Sequence, residues 1–572
     1  MPQKIVARTL AAVTLIATAL LACSAPAASP RAPAAQQASV GSGSPKTLNV
    51  VLVGEPRVLS IWQESTTGGV INIHEMLSNG LVALDDKSEP VPRLAASVPH
   101  VDDGSWKLNP DGTMEITFHL RRNAVWHDGT PVTAADVVFS AEAQIDPAVD
   151  VYPVHQGLAK GLDHAVAADD HTVVMYWSKP YAFADAMSVW DFAPLPAHLM
   201  QAVYERDRAE FNRLPYWADE SAFIGTGPFR LTRWERGAQM QFDAFDRYYL
   251  GQPKLDRILV DIVQDNTTAQ ARVLAGDVDA AWGVDWDRES MDLVRSRGIG
   301  DFQMGTEGTN HLAFQFKDVA VPAELAHDVR LRRALAHALD RQAINQVDED
   351  GESAVANSWV PTNDPRYPDV ESAIRTYPFD PRAALALFEE AGLIKGPDGP
   401  LRNRDGELFT CAVRAQLGKR SGDLTVDSWR AVGVAAQIET RPAAAERSLE
   451  YRANFPCVEE SYRGMGRITI QHLHSNNAMT PERRYLGSNR GAYMNPALDA
   501  EIDGFFATIR RSDRVNRERA ILRIVTEELP IITTIYAVRK DFQRKGVTGN
   551  MIKTGFDIIN AHTWNIHEWA KS

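Results

Sequence analysis

The chain has 572 residues, 44% of them hydrophobic, and a formal net charge of −14. That length allows about three or four domain-sized pieces, each with a core of its own. The acid excess and the lack of a basic stripe exclude nucleic acid as a partner, and beyond residue 22 no apolar run approaches the roughly 18 residues that span a bilayer.

At the N-terminus, Lys4 and Arg8 form a charged region ahead of an apolar segment from Leu10 to Leu21, and Leu20, Leu21, Ala22 and Cys23 resemble a bacterial lipobox. That resemblance implies a lipoprotein signal peptide over 1–22, export, and lipid attachment at Cys23. A plain signal peptide beside a bystander cysteine is the other reading. Residues 23–45 are mostly Ala, Pro, Ser, Gln and Gly. They bury too little surface to fold and read as a flexible tether. Cys411 and Cys457 are the other cysteines. Export permits a disulfide between them, and two buried free thiols are the alternative.

Thr47 to Val53 alternates and then runs apolar, as a core strand does, and Glu55-Pro56 closes it. A small polar loop follows at Ser65 to Gly69, then a short amphipathic segment from Ile71 to Leu77. Met114, Ile116, Phe118 and Leu120 alternate with Glu115, Thr117 and His119, which predicts a half-buried strand opened by the Asn109-Pro110-Asp111-Gly112 turn. After a second turn at Trp126 to Pro131, Thr133 is placed to cap a helix with Asp136 in its first turn. Val166 to Trp177 continues the strand pattern, with a turn at Asp169 to His171.

Gly225-Thr226-Gly227-Pro228-Phe229 combines two glycines that permit close backbone approach with a proline that fixes the next turn. No lysine-serine or lysine-threonine pair follows, so this is not a phosphate loop. Leu255 to Val263 and His311 to Phe316 read as strands, and Asp328 to Arg341 as one helix. On that helix Leu331, Leu335 and Leu339 form the apolar stripe, and Arg330, Arg333, His337 and Arg341 a solvated or paired basic face. Ile531 to Tyr536 is a β-branched run of the buried-strand kind.

The run Phe118, Leu120, Val125, Trp126, Asp128, Gly129, Pro131, Thr133, Ala134, Asp136, Val137 and Phe139 resembles the signature of the peptide/nickel extracellular solute-binding family, the receptors of ABC importers. Further stretches match at similar spacing, among them Pro194 to His198, Gly225 to Phe229, Gly276 to Ala280 and Arg330 to Arg341. The resemblance implies an α/β, two-lobed Venus-flytrap fold with an extra α/β domain inserted in lobe one. Lobe one is expected over 46–86, 222–318 and 530–572, the inserted domain over 87–221, and lobe two over 319–529. It also implies a monomeric, non-enzymatic receptor without cofactor that delivers a peptide-like solute to membrane permease subunits.

For the ligand site, the resemblance points to Thr66 and Thr67 in the polar loop, Trp282, and Gln315. Peptide-binding members hold the ligand's amine with an aspartate, and here that position falls near Met465. Glu459 and Glu460, with Tyr462 and Arg463 beside them, are the candidate substitutes. A missing carboxylate leaves a non-peptide solute, an oligosaccharide or a metal chelate, as the alternative, since a buried ammonium needs a partner. An extracellular sensor on the same fold and a secreted hydrolase are further readings, but His-Glu-x-x-His and Gly-x-Ser-x-Gly are both absent. His472 and His474, two apart and so on one face if in a strand, lack an evident third ligand, so no metal site is expected.

Overall fold

The structure is a computed structural model that describes residues 45–63, 69–151, 161–396, 399–415, 419–442, 445, 448–464, 466–549 and 563–572. Cys23, the tether, Thr66, Thr67 and Met465 lie outside the described residues. Thr-Leu-Asn-Val-Val-Leu-Val suits a strand covered on both faces, and Thr47–Val53 forms β1, with Val50, Val51 and Leu52 wholly buried. Past a small pair of strands at Val82–Leu84 and Pro90–Pro92 come Trp106–Leu108 (β2), Met114–His119 (β3), Leu162–Asp169 (β4) and Thr172–Trp177 (β5), a four-stranded sheet in the order β2-β3-β5-β4. Its Trp106, Met114, Phe118 and Trp177 share a core with Trp126 and Val137. This sheet falls within residues 87–221, where the inserted domain is expected.

The remaining major strands are Phe229–Glu235 (β6), Gln239–Ala244 (β7), Arg257–Val263 (β8), Ala280–Trp282 (β9), Gly300–Phe314 (β10), Thr410–Ala415 (β11), Ala435–Thr440 (β12), Val458–Gly464 (β13) and Ile531–Arg544 (β14). With β1 they form one ten-stranded sheet in the order β12-β11-β13-β10-β14-β9-β1-β8-β7-β6. Leu48, Val50, Ile258, Val260 and Trp282 pack into the core of the first lobe, and Leu312, Phe314, Leu335, Trp429 and Val458 into that of the second. The long strands β10 and β14 pair with each other and belong to both: Phe302 and Phe542 pack in a first-lobe cluster, Leu312 and Ile532 in the second-lobe core. The lobes are thus joined by paired strands.

Cys411 on β11 and Cys457 just before β13 form a disulfide with their Cα atoms 5.3 Å apart. No helix among the described residues is long and apolar enough to cross a membrane. The expected single helix from Asp328 to Arg341 is instead two, Val329–His337 and Arg341–Asp348, because Asp340 leaves helical geometry and caps the second through the Ala343 N–H. Its basic face also divides. Arg330 pairs with Asp328, whereas Arg341 is buried and donates to the carbonyls of Ala356, Thr533 and Tyr377. Three carbonyl oxygens solvate that charge.

Candidate ligand site between the lobes

The stretch after β3 supplies the frame. Thr133 and Asp136 form the expected capping box at the start of helix Ala134–Ile145. The Asp136 carboxylate accepts from the Thr133 N–H at 2.8 Å, the Ala197 N–H at 2.9 Å and the Trp126 indole at 3.4 Å. Ser140 accepts from the Leu195 N–H at 2.7 Å. One turn of helix therefore holds the Pro194 to His198 segment. His127 does the same for the glycines: its N–H donates to Gly225 O, its Nδ1 accepts from the Gly225 N–H at 3.2 Å, and its Nε2–H donates to Gly227 O at 2.9 Å. Burial holds His127 down at about 4, so the ring is neutral, as an accepting Nδ1 requires. A Cβ on Gly225 would stand 1.8 Å from Leu77 O and one on Gly227 2.2 Å from Met76 O, so both glycines seat the end of helix Val70–Leu77 by close approach.

On this frame the lobes meet. Trp190 stands edge-on to His74 of that helix, with ring centroids 4.1 Å apart. Next to it, Asp191 accepts from Ser188 Oγ at 2.8 Å and from Arg467 Nη2 at 2.7 Å, both ends of the ion pair being buried. Arg467 follows β13, so the pair runs from the inserted domain to the second lobe. The same guanidinium lies 4.8 Å from the Phe183 ring centre, Arg514 lies 4.7 Å from it, and the Ala182 N–H donates to Phe506 O. Burial pushes the Asp185 carboxyl up to about 6 against the pull of Arg514 and Arg467. Beside this contact is a cavity of about 530 Å³, lined by His100, Trp106 and Asp185 from the inserted domain and by Arg366, Phe505 and Arg514 from the second lobe. That volume suits a small solute.

Strand alternation separates the four residues expected on β13. Glu459 and Arg463 share one face and Glu460 and Tyr462 the other, and in the register with β10 Ser461 opposes His311, which puts His311 on the Glu459 face. Glu459 is wholly buried and accepts from Arg441 Nη1 at 3.1 Å and Arg490 Nη1 at 2.8 Å. Two guanidiniums already neutralise it, so it does not stand in for the missing aspartate. Glu460 is buried as well, and Tyr462, 39% exposed, donates to Glu307 O at 3.2 Å. Arg463 donates to Ser488 O.

Two further expectations are corrected. Gln315 donates to Ala453 O at 3.0 Å and Phe455 O at 2.8 Å and accepts from the Lys317 N–H, so its amide fixes the loop before β13 rather than facing a cleft. Trp282 is fully buried in the first-lobe core, edge-on to Trp569 at 6.4 Å, and presents no surface to a solute. His472 and His474 do not share a strand face, because they follow the short helix Arg467–Gln471, and His474 Nδ1 accepts from the Asn476 N–H. Sequence reasoning missed Asp191 and Arg467, 276 residues apart, and nothing local marks either one.

Residues 89–462 match the family described as Bacterial extracellular solute-binding proteins, family 5 Middle. Protein XP55 of Streptomyces lividans is 28% identical over 504 residues, covering 87% of this chain and 83% of that protein. Heme-binding protein A of Haemophilus influenzae is 25% identical over 456 residues, 76% of this chain and 78% of its own. Among solved structures, an oligopeptide binding protein of Thermus thermophilus complexed with a pentapeptide superposes with a TM-score of 0.69 at 21% identity, over 92% of this chain and 96% of that one. With the two lobes, the inserted domain and the signature segment in place, the chain belongs to the bacterial extracellular solute-binding proteins of family 5.

Proposed function

We propose that this protein is the substrate-binding component of an ABC importer, which captures a peptide-like solute between its lobes and hands it to the permease subunits. The observation that carries the reading is the junction of Asp191 and Arg467, where two separately cored lobes, joined by β10 and β14, meet at a buried polar contact beside a solute-sized cavity. A solute that touches both sides would favour the closed arrangement by its differential affinity. The relative solved with a pentapeptide supports a peptide-like ligand. The protein acts as an exported monomer, tethered through lipid at Cys23, without catalysis, cofactor or metal of its own.

The engagement of Glu459 by Arg441 and Arg490 favours a second reading, a solute without a free amine such as an oligosaccharide or a metal chelate. The heme-binding relative fits that wider ligand range. Native mass spectrometry of the tagless mature protein from its own host tests the choice. A ladder of released peptide masses is expected, and a single discrete sugar or chelate would overturn the peptide reading.

A further inference from the structure

We infer that the second lobe contains a buried anion subsite, enclosed by β10, β13 and the Ser488 to Gly491 segment, that takes a group of carboxylate size. Its cavity of about 30 Å³ is lined by His311, Trp359, Arg463, His472 and Arg490. About 10–15 Å³ holds one water-sized centre, so the space matches the two oxygens of a carboxylate.

The lining guanidiniums are engaged, but two buried nitrogens on the lining residues have no hydrogen-bond partner among the described residues. Trp359 and His311 are each 2% exposed; the Trp359 indole nitrogen has no hydrogen-bond partner among the described residues, and the His311 ring is hydrogen-bonded to the Thr309 backbone. The buried Nδ1 of His472 is the second nitrogen without a partner there. An indole nitrogen only donates, and a neutral imidazole donates from Nδ1 in one of its two tautomers. The Trp359 indole N–H and the His472 Nδ1, on residues that line one small space, are open to an acceptor there.

Charge selects the kind of acceptor. Arg463 shares its sheet face with Glu459, but that carboxylate is already held by Arg441 and Arg490, and Arg463 donates to a carbonyl, Ser488 O. Lys317 adds another cation nearby, donating to Arg490 O at 3.1 Å. Burial together with Arg490 holds Arg463 down to about 9, and burial with Arg463 holds both histidines well below their usual range. Further positive charge is unwelcome here, which excludes a metal cation. An anion would relieve the excess and accept from the indole at once.

The carboxylate chemistry stands on the pocket itself. That the carboxylate belongs to the captured solute rests on the proposed receptor role, and the test keeps the two apart. Sodium acetate is titrated into the full chain at constant ionic strength while the indole N–H of Trp359 and the ring nitrogens of His311 and His472 are followed by NMR. A saturable shift of all three is expected, with at least tenfold weaker binding in Arg463→Gln and in Trp359→Phe, which keeps an aromatic ring and removes the donor. No saturation, or equal shifts in both variants, would mean ordered water or an adventitious ion only and would overturn the subsite. Trialanine and its C-terminal amide then identify the source. Displacement of acetate by the acid alone assigns the pocket to the solute, while displacement by neither supports a site for free anions and leaves the receptor role to its own test.

Discussion

The inserted domain and strand β13 use buried polar groups in opposite ways. Around Trp126 to Ser140 the buried carboxylate and imidazole are matched to neutral donors and acceptors: Asp136 to two backbone N–H groups and an indole, His127 to the backbone of Gly225 and Gly227. Around β13 the groups are charged, with Arg441, Arg463 and Arg490 gathered about Glu459. The first arrangement is complete without a ligand and serves as scaffold. Among the described residues, the second gathers three guanidiniums about one carboxylate, and the proposed anion subsite rests on that arrangement.

If the glycine landmark is pure scaffold, crowding it should have the largest effect of all. Gly225→Val places carbon against Leu77 O, where even a Cβ would sit at 1.8 Å, and the obstacle is backbone that cannot swing aside. Overpacking costs roughly 1–3 kcal/mol where side chains give way and more where they do not. We expect no soluble folded protein by circular dichroism. A folded Gly225→Val protein would show that the helix Val70–Leu77 is free to shift.

The second region responds to loss of charge rather than of space. Glu459→Gln removes the shared partner of Arg441 and Arg490, all three being deeply buried. Breaking a buried pair from one side costs about 3–5 kcal/mol, since a buried guanidinium loses its carboxylate. Urea denaturation should show a loss of that size. A loss under about 1 kcal/mol would mean that water reaches the arginines.

These two regions also differ in how far they can be read from the chain. The capping box at Thr133 and Asp136 and the glycines at 225 and 227 are legible because backbone geometry dictates residue type at fixed short spacing. Strand alternation announces β3, and a β-branched apolar run announces β14. Trp282 and Gln315 are misplaced because a sequence shows that a residue is near a cleft element but not which side of it the side chain faces. The Asp191 to Arg467 contact and the gathering of His311, Arg463 and Arg490 arise from strands and loops brought together only by the tertiary fold. No local pattern encodes them.

The scaffold also has a pH signature of moderate size. His127 is held neutral in the fold at about 4 against a usual 6.5, so between those values the unfolded chain binds a proton that the folded chain refuses. Stability from this residue is complete above pH 6.5 and is lost as pH falls toward 4, by about 3 kcal/mol in all. Denaturation midpoints across that range should fall more steeply for the native sequence than for His127→Gln. Equal slopes would assign the acid sensitivity elsewhere, with His567, also held down to about 4, the next to test.

The smallest effect should come from the face of β13 that carries no excess charge. Tyr462 is 39% exposed and its hydroxyl donates to Glu307 O at 3.2 Å. Water can replace that partner on an exposed ring, so Tyr462→Phe should change stability by less than about 0.5 kcal/mol. Its ligand affinity is the sharper measurement. Affinity for whatever solute the native protein releases should be unchanged if binding is confined to the Arg463 face, because alternation turns Tyr462 away from it. A loss of about tenfold, or 1.4 kcal/mol, with unaltered stability would instead put solute on the Glu460 and Tyr462 face, and the division of β13 into a binding side and a structural side would have to be reversed.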